Sequence, residues 1–144
     1  ISTNKNKDFF TARDGGLQDL GDTNIAFSPN LVAANMLVYA PIDDFQVALL
    51  SKFVGEQYLS NTDTDASKLD SYFVNDINIS YQINCNKIFK SVLLNGLVNN
   101  ILNEKYVSNG YTYLDTWTGP NTFEVQGYYP QAGTNFLLGA TFNF

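Results

Sequence analysis

The chain has 144 residues, a formal net charge of −6, only eight basic residues and no histidine. These values exclude a nucleic-acid interface, since phosphate binding needs clustered Lys and Arg. Without histidine the chain lacks the usual general base and the commonest metal ligand, and no serine is spaced with a Lys or carboxylate partner, so we predict neither an enzyme nor a metal or cofactor site.

The first 59 residues are expected to contribute a loop and two strands. Residues 4–24 are polar and rich in Asp and Gly, which indicates a long loop. The apolar segment 31–40 and the alternating segment 45–59 are typical of strands. Between them, Pro41-Ile42-Asp43-Asp44 predicts a tight turn. The absence of a run of about 18 apolar residues argues against a transmembrane helix.

A polar segment follows at residues 60–65. The spacing of Asn61, Asp63 and Asp65 resembles the start of a calcium-binding loop. Such a loop has a glycine at its sixth position and a glutamate at its twelfth, where this chain has Ala66 and Tyr72. We therefore interpret the segment as a solvated loop and predict no metal there.

The clearest internal strand is predicted over residues 70–83, because its polar and apolar residues alternate. Its apolar side reads Phe73, Ile77, Ile79, Tyr81 and Ile83. Its opposite side must contact water and reads Asp70, Asp76, Asn78, Ser80 and Gln82. A short turn at 84–87 leads to another strand at 89–102, whose apolar side reads Val92, Leu94, Gly96 and Val98.

Residues 103–130 are expected to form a long irregular stretch that is rich in aromatic residues. A loop of this length in a compact domain is usually functional. Tyr111, Tyr113 and Trp117 are therefore the candidate functional aromatic residues of this loop, and packing within the loop or anchoring at a membrane interface is their alternative role.

The last predicted strand covers residues 134–144 and has one apolar side. That side reads Phe136, Leu138, Ala140, Phe142 and Phe144. About ten alternating residues are enough to cross a bilayer as a tilted strand. The strand is therefore compatible with a membrane β-barrel.

Together these segments predict an all-β fold: an antiparallel meander of about five strands whose connections are alternately short and long. This alternation is typical of outer-membrane barrels, which have short periplasmic turns and long extracellular loops. Tyr58, Tyr72 and Tyr106 lie near strand ends, where a membrane–water interface favours aromatic residues. A soluble up-and-down barrel of the lipocalin kind is the alternative fold.

Five strands cannot close a barrel, since even the smallest outer-membrane barrels have about eight. We therefore expect residues 1–144 to be the C-terminal portion of a larger barrel, with its earlier strands absent. The alternative is a self-contained small outer-membrane barrel with a structural or adhesion role, which would need more strands than the pattern provides.

The segment that ends the strand predicted at 89–102 reads Asn99-Asn100-Ile101-Leu102-Asn103-Glu104-Lys105-Tyr106. It resembles the Asn-Asn-Leu-Phe-Asn-x-x-Tyr motif in the penultimate strand of TonB-dependent outer-membrane receptors of the Bacteroidetes type, with Ile101-Leu102 in place of Leu-Phe. The segments that follow this motif in the family resemble 109–113 and 129–139, and its preceding hairpin resembles 54–59 and 68–73. The resemblance covers most of the chain at the expected spacings.

The resemblance implies a barrel of about 22 strands with an N-terminal plug, in the bacterial outer membrane. Its function would be energised uptake of a scarce nutrient such as a siderophore, haem or cobalamin, with TonB acting through a plug absent from this chain. The polar residues of 70–83 would face the lumen, and Tyr111, Tyr113 and Trp117 would lie in an extracellular loop. The apolar side of 134–144 would face lipid and carry the signal read by the barrel assembly machinery.

Overall fold

The computed structural model describes residues 1–13, 15–85, 88–115 and 123–144. Within these ranges the regular elements are β-strands and one 3-10 helix, η1 (Asp65–Ser67), so the predicted all-β class is confirmed. None of the described helices is long and apolar enough to cross a membrane.

In chain order the strands are β1 (Lys5–Asn6), β2 (Phe10–Arg13), β3 (Gly16–Asp19), β4 (Thr23–Asn24), β5 (Val32–Ile42), β6 (Phe45–Val54), β7 (Gln57–Tyr58), β8 (Lys68–Leu69), β9 (Tyr72–Asn84), β10 (Ser91–Asn99), β11 (Val107–Asp115), β12 (Phe123–Pro130) and β13 (Asn135–Asn143). They belong to two compact units. The first comprises Ile1–Val32, Val54–Tyr72 and Tyr106–Gln131, and the second comprises Ala33–Phe53, Phe73–Lys105 and Ala132–Phe144.

The second unit is built on a five-stranded antiparallel sheet with the order β13–β10–β9–β6–β5. These are the five strands that alternation predicted, and their order confirms the meander. The bounds differ at the ends: β5 continues through Pro41 to Ile42, and β6 ends at Val54 instead of Leu59. A proline can occupy a strand whose outer side has no partner, because its missing N–H is not needed there.

The connections of this sheet are short at one end and long at the other. Asp43 and Asp44 alone join β5 to β6, and residues 85–90 join β9 to β10. The amide of Cys85 donates to the carbonyl of Lys90 at 3.0 Å, which closes the second of these connections. Residues 55–71 and 100–134 leave and re-enter the opposite end, because successive strands of the meander are antiparallel.

Near this end of the sheet the side chains of neighbouring strands are buried and paired. The hydroxyl of Ser51 on β6 donates to Oδ1 of Asn75 on β9 at 2.6 Å, and both residues are buried. The hydrogen bond satisfies two polar groups that would otherwise be costly to bury. Ala48 on β6 and Val74 on β9 are also buried.

The first unit corrects two loop predictions. Residues 4–24 contain two small antiparallel sheets, β1 with β4 and β2 with β3, where a loop was expected. Within 103–130, the described residues 107–115 and 123–130 are not irregular either, since they form β11 and β12, which pair as an antiparallel hairpin with a register shift between Val107 and Asn109. The Asn and Gly residues of these segments favour turns and hide the strands, although β11 and β12 also contain Val, Tyr and Phe residues that are typical of strands.

The hairpin β11–β12 packs one face against residues 57–69 of the same unit. A Cβ added to Gly110 would meet the side chain of Leu59 at 3.1 Å, so the strand approaches Leu59 closely. Glu124 accepts hydrogen bonds from the hydroxyls of Thr64 and Thr112, at 3.0 and 3.1 Å. The hydroxyl of Tyr128 donates to the carbonyl of Ala66 at 3.2 Å. These contacts make 57–69 and the hairpin one packed structure.

The polar segment 60–65 holds this unit together through its side chains. Asn61 Oδ1 accepts the backbone N–H of Ala26 at 2.7 Å. Asp63, whose φ is +53°, accepts both the backbone N–H and the side-chain amide of Asn24. Two of the three residues whose spacing resembles the start of a calcium loop, Asn61 and Asp63, thus accept hydrogen bonds from Asn24 and Ala26.

Candidate functional site

The register of the sheet places apolar residues from three strands on one face. Residues directly opposite one another in an antiparallel pair point to the same side. The rows across β9, β10 and β13 are Ile83–Val92–Phe142, Tyr81–Leu94–Ala140, Ile79–Gly96–Leu138 and Ile77–Val98–Phe136. We call this set of residues the apolar face. It contains four of the five predicted assembly-signal residues, on β13, together with residues from the apolar sides predicted for β9 and β10.

Much of the apolar face is exposed. Leu138 has an exposed fraction of 76%, and Ile79 and Leu94 have about half that value, at 40% and 41%. Each square ångström of such surface that leaves water contributes roughly 25 cal/mol. Contiguous exposed apolar patches of this kind mark interaction or membrane surfaces, whereas single exposed residues do not.

The other face of the same strands is mixed but richer in polar groups. Asn78, Ser80 and Gln82 lie opposite Leu97, Asn95 and Leu93 of β10, respectively. Four of the five residues predicted to face a lumen, Asp76, Asn78, Ser80 and Gln82, therefore lie on one side of β9, because residues two apart in a strand point the same way. Asp76, also on β9, accepts the backbone N–H of Asn100 at 2.8 Å. Asp70 lies outside the strand, between β8 and β9.

Both outer strands of the sheet present an open edge. Within the described ranges, β5 and β13 each have a partner strand on one side only. Every residue of β5 and of β13 is exposed. Unpaired N–H and C=O groups on an apolar strand are a template for pairing with further strands. The sheet is therefore extendable on both sides.

Aromatic rings gather where β13 ends. The ring of Phe89 lies 5.1 Å from that of Phe142 and 5.0 Å from that of Phe144, in tilted and edge-to-face arrangements. Phe144 itself follows β13 and is strongly exposed. Alternation could not have identified Phe89, because the apolar side of β10 falls on even-numbered residues. This aromatic cluster (Phe89, Phe142 and Phe144) lies at the short-turn end of the sheet.

At the other end of the sheet, Asn100 forms a buried polar centre. Its exposed fraction is 4% and its φ is +50°, a conformation that Asn tolerates better than most residues. Its Oδ1 accepts the backbone N–H of Glu104, and its Nδ2 donates to the carbonyls of Glu104 and Ala132. One side chain thus binds both the start and the end of the long connection between β10 and β13.

Asn103 and Thr134 complete this arrangement. The hydroxyl of Thr134 donates to the carbonyl of Asn100 at 2.7 Å, and the amide of Thr134 donates to Oδ1 of Asn103 at 3.2 Å. A Cβ added to Gly133 would lie 2.5 Å from the same Oδ1, so only glycine fits there unless Asn103 moves. We call Asn100, Asn103, Gly133 and Thr134 the asparagine clasp.

The hairpin β11–β12 carries two of the three predicted loop aromatics. Tyr111 and Tyr113 lie on β11 with nearly parallel rings whose centroids are 6.3 Å apart, and Tyr129 of β12 lies 6.1 Å from Tyr111. The exposed fractions of these three tyrosines are 48%, 53% and 54%. Trp117 lies outside the described residues.

The lack of a side chain at Gly127 leaves space for the Tyr111 ring. Tyr111 and Gly127 are directly opposite one another in the hairpin, and a Cβ on Gly127 would collide with the Tyr111 ring. The ring therefore lies across the glycine backbone, on the face opposite to Gly110 and Tyr128. The exposed face of the hairpin is formed by tyrosines held in place, whereas its other face packs against 57–69.

Tyr72 and Tyr106, which were predicted to lie near strand ends, stack on one another. Their ring centroids are 4.2 Å apart and their planes are inclined by 26°. Tyr72 begins β9 and is buried, and Tyr106 directly precedes β11. Aromatic pairs of this kind contribute about 0.5–1.5 kcal/mol beyond their buried area. The stack therefore stabilises the first unit at the base of the hairpin.

Two ion pairs are found among the charged side chains of the described part. Lys68 and Glu56 form a salt bridge of 2.9 Å, and this hydrogen bond raises the pKa of Lys68. Lys7 pairs with Asp22, which raises the pKa of Lys7 and lowers that of Asp22. Among the residues described, no group of three or more His, Cys, Asp or Glu is placed to hold a metal ion.

Comparison with known proteins returned no relative: the chain matches no protein-family model, no curated protein and no solved structure. Its function is therefore inferred from its residues and their geometry.

Proposed function

We propose that this chain is the C-terminal barrel segment of a TonB-dependent receptor in the bacterial outer membrane, which takes up a scarce nutrient at the expense of energy. The observation that carries the proposal is the apolar face, a continuous exposed surface that spans three strands in register. Lipid is the environment in which such a face is stable without a covering layer. The motif resemblance narrows the barrel class to TonB-dependent receptors.

The opposite face supports the same assignment. A membrane barrel alternates lipid-facing apolar residues with lumen-facing polar ones along each strand. Asn78, Ser80 and Gln82 provide such polar groups on β9, and Leu93 and Leu97 opposite them would contact a plug. The proposal assigns Asp76 to a structural role, because its carboxylate already accepts the Asn100 amide.

The open edges favour a larger barrel over a self-contained one. In hydrocarbon an unpaired strand edge leaves backbone groups without hydrogen bonds, so a membrane barrel has to close. The five-stranded sheet does not close on itself within the described residues. In the proposal, β5 and β13 pair with further strands of the same receptor. The long connections and their exposed tyrosines face outside, and TonB acts through the plug.

The lipid-facing assignment is tested with single-cysteine labels in the full product of the gene, in a Cys85→Ser background. Leu94→Cys and Asn95→Cys place the same fluorophore on neighbouring residues of β10 that point to opposite faces. We expect brominated lipids to quench the label at position 94 strongly and the label at position 95 weakly. Equal quenching, or absence of the protein from the outer-membrane fraction, would contradict the assignment.

The transport assignment needs a separate measurement. Cells that carry the gene are compared with a deletion strain for growth on limiting iron sources, haem or cobalamin, with TonB present or depleted. We expect one nutrient to require both the gene and TonB. A barrel in the outer membrane whose loss changes uptake of no nutrient would favour the structural or adhesion alternative.

A further inference from the structure

We propose that the asparagine clasp fixes the pairing of β10 with β13 independently of the hairpin between them. Residues 106–131 would then be an excursion that the sheet does not need, and whose sequence can change without loss of the sheet. Neither the apolar face nor the transport proposal requires this property.

The strands β10 and β13 are separated by a long connection, yet they are paired over their whole length. The register runs from Ser91↔Asn143 to Asn99↔Asn135 without a shift. The entropic cost of closing a loop rises with its length, so contacts at its base must hold the ends together. Two structures could do so: the hairpin itself, or the clasp that begins at the next residue, Asn100.

The hydrogen bonds favour the clasp. The single Nδ2 of Asn100 donates to Glu104 at 2.8 Å and to Ala132 at 3.1 Å, which brings the departing and returning backbones to within hydrogen-bonding reach of one nitrogen. Thr134 then binds Asn100 and Asn103 on the returning side. Asp76 and the carbonyl of Asn75 bind the amides of Asn100 and Ile101, so that the clasp is also attached to β9.

The clasp is also complete without the hairpin. Its donors and acceptors belong to 75–76, 100–104 and 132–134, all within the second unit. None of these hydrogen bonds uses a residue of 106–131. Because Asn100 is buried, truncating its side chain would leave the N–H of Glu104 and the carbonyl of Ala132 without this partner.

The test measures strand pairing by disulfide formation in the full product of the gene, with Cys85→Ser. Leu97→Cys with Leu137→Cys reports the β10–β13 pair, since these residues are directly opposite. Opposed residues have Cα atoms about 4.5–5.5 Å apart, within the range that a disulfide spans. Leu97→Cys with Asn78→Cys reports the β9–β10 pair in the same way. The rate of cross-linking under mild oxidant is followed by mass spectrometry of the peptides.

Three variants are compared by these rates. Replacing residues 106–131 by Gly-Ser-Gly should leave the β10–β13 rate within about twofold, whereas Asn100→Ala should lower it at least about fivefold and spare the β9–β10 rate. The matched control is Asn99→Ala, which removes the adjacent exposed amide pair with Asn135 and should have an effect of less than about twofold.

Each other result would overturn the proposal. Loss of the β10–β13 cross-link in the shortened chain would mean that the hairpin holds the strands. Equal β10–β13 cross-linking rates for Asn100→Ala and Asn99→Ala would mean that the clasp does not hold these two strands together. If Asn100→Ala lowers the cross-linking rates of both strand pairs, or if this variant fails to accumulate, Asn100 is needed for folding of the whole chain and not for the β10–β13 pair in particular. The readout does not depend on where the protein resides.

Discussion

Replacing Ile79 by Asp is the sharpest test of which face of the sheet meets lipid. Ile79 lies in the middle of β9, in the row Ile79–Gly96–Leu138, and has an exposed fraction of 40%. A carboxylate there would enter the hydrocarbon if the apolar face is lipid-facing. Arg or Lys at the bilayer midplane destabilises a barrel by roughly 2–4 kcal/mol, and acidic residues by less, so we expect about 2 kcal/mol or slightly below.

The same substitution has a different effect if the sheet is in water. A half-exposed strand residue then keeps its solvent, and the change is limited to strand propensity and lost packing, about 1 kcal/mol. Ile79→Asn isolates these terms, since it has nearly the same shape as Asp and no charge. The difference in unfolding free energy between Ile79→Asp and Ile79→Asn therefore shows whether the side chain at position 79 lies in lipid.

The matched control is Asn78→Asp, on the adjacent residue and the opposite face. Asn78 is exposed and lies opposite Leu97, so under the proposed assignment a charge there would face the lumen and should change stability by less than about 0.5 kcal/mol. The assay is urea unfolding of the full product of the gene in phospholipid vesicles, followed by fluorescence and by heat-modifiable migration. If Ile79→Asp and Asn78→Asp have equal effects, the assignment of faces is wrong.

Three further predictions follow from other parts of the chain. Deleting Phe144 should lower the amount of protein assembled in the outer membrane, because it removes a ring from the aromatic cluster. Phe144→Tyr keeps the ring and should leave this amount unchanged, and an unchanged amount after deletion would refute a signal in this residue. Gly127→Ala should displace the Tyr111 ring and destabilise the hairpin by about 1–3 kcal/mol, measured by proteolysis of the hairpin, whereas Gly139→Ala, whose Cβ meets no atom within 4 Å, should be neutral. Glu124→Ala should loosen the hairpin from 57–69 by about 1–2 kcal/mol, seen as faster hydrogen exchange there, while Glu56→Ala, at an exposed ion pair, should change it by less than about 0.5 kcal/mol.

The sheet was predictable because its strands have one uniformly apolar side. In β9 and β13 every second residue over most of the strand is apolar, and a period of two has no helical explanation. The pairing of β5 with β6 and of β9 with β10 followed from the short connections predicted at 41–44 and 84–87, which favour antiparallel neighbours. The face assignments of Ile77, Ile79, Tyr81 and Ile83 agree with the register for the same reason.

The first unit was not predictable by this rule, because its strands are stabilised by contacts that alternation does not record. In β11 and β12 a tyrosine lies over a glycine, and Thr112 and Glu124 bind through side chains. When each strand is considered alone, such residues predict a loop. Their place in a strand becomes clear only from the residues opposite them on the partner strand. The four short strands in 4–24 were missed for a related reason, since strands of two to four residues are too short for a period of two to be recognised.

The asparagine clasp could not be predicted from the sequence for a different reason. Asn99 and Asn100 are adjacent and identical, yet one is a surface amide paired with Asn135 and the other a buried centre at positive φ. Sequence predicts that Asn favours turns, but it does not tell which of two asparagines is buried. That difference depends on Ala132, Gly133 and Thr134, more than thirty residues away along the chain. The residues that fix the ends of a long connection can therefore be recognised only once both ends are in place, which is why the motif was visible in the sequence and its physical role was not.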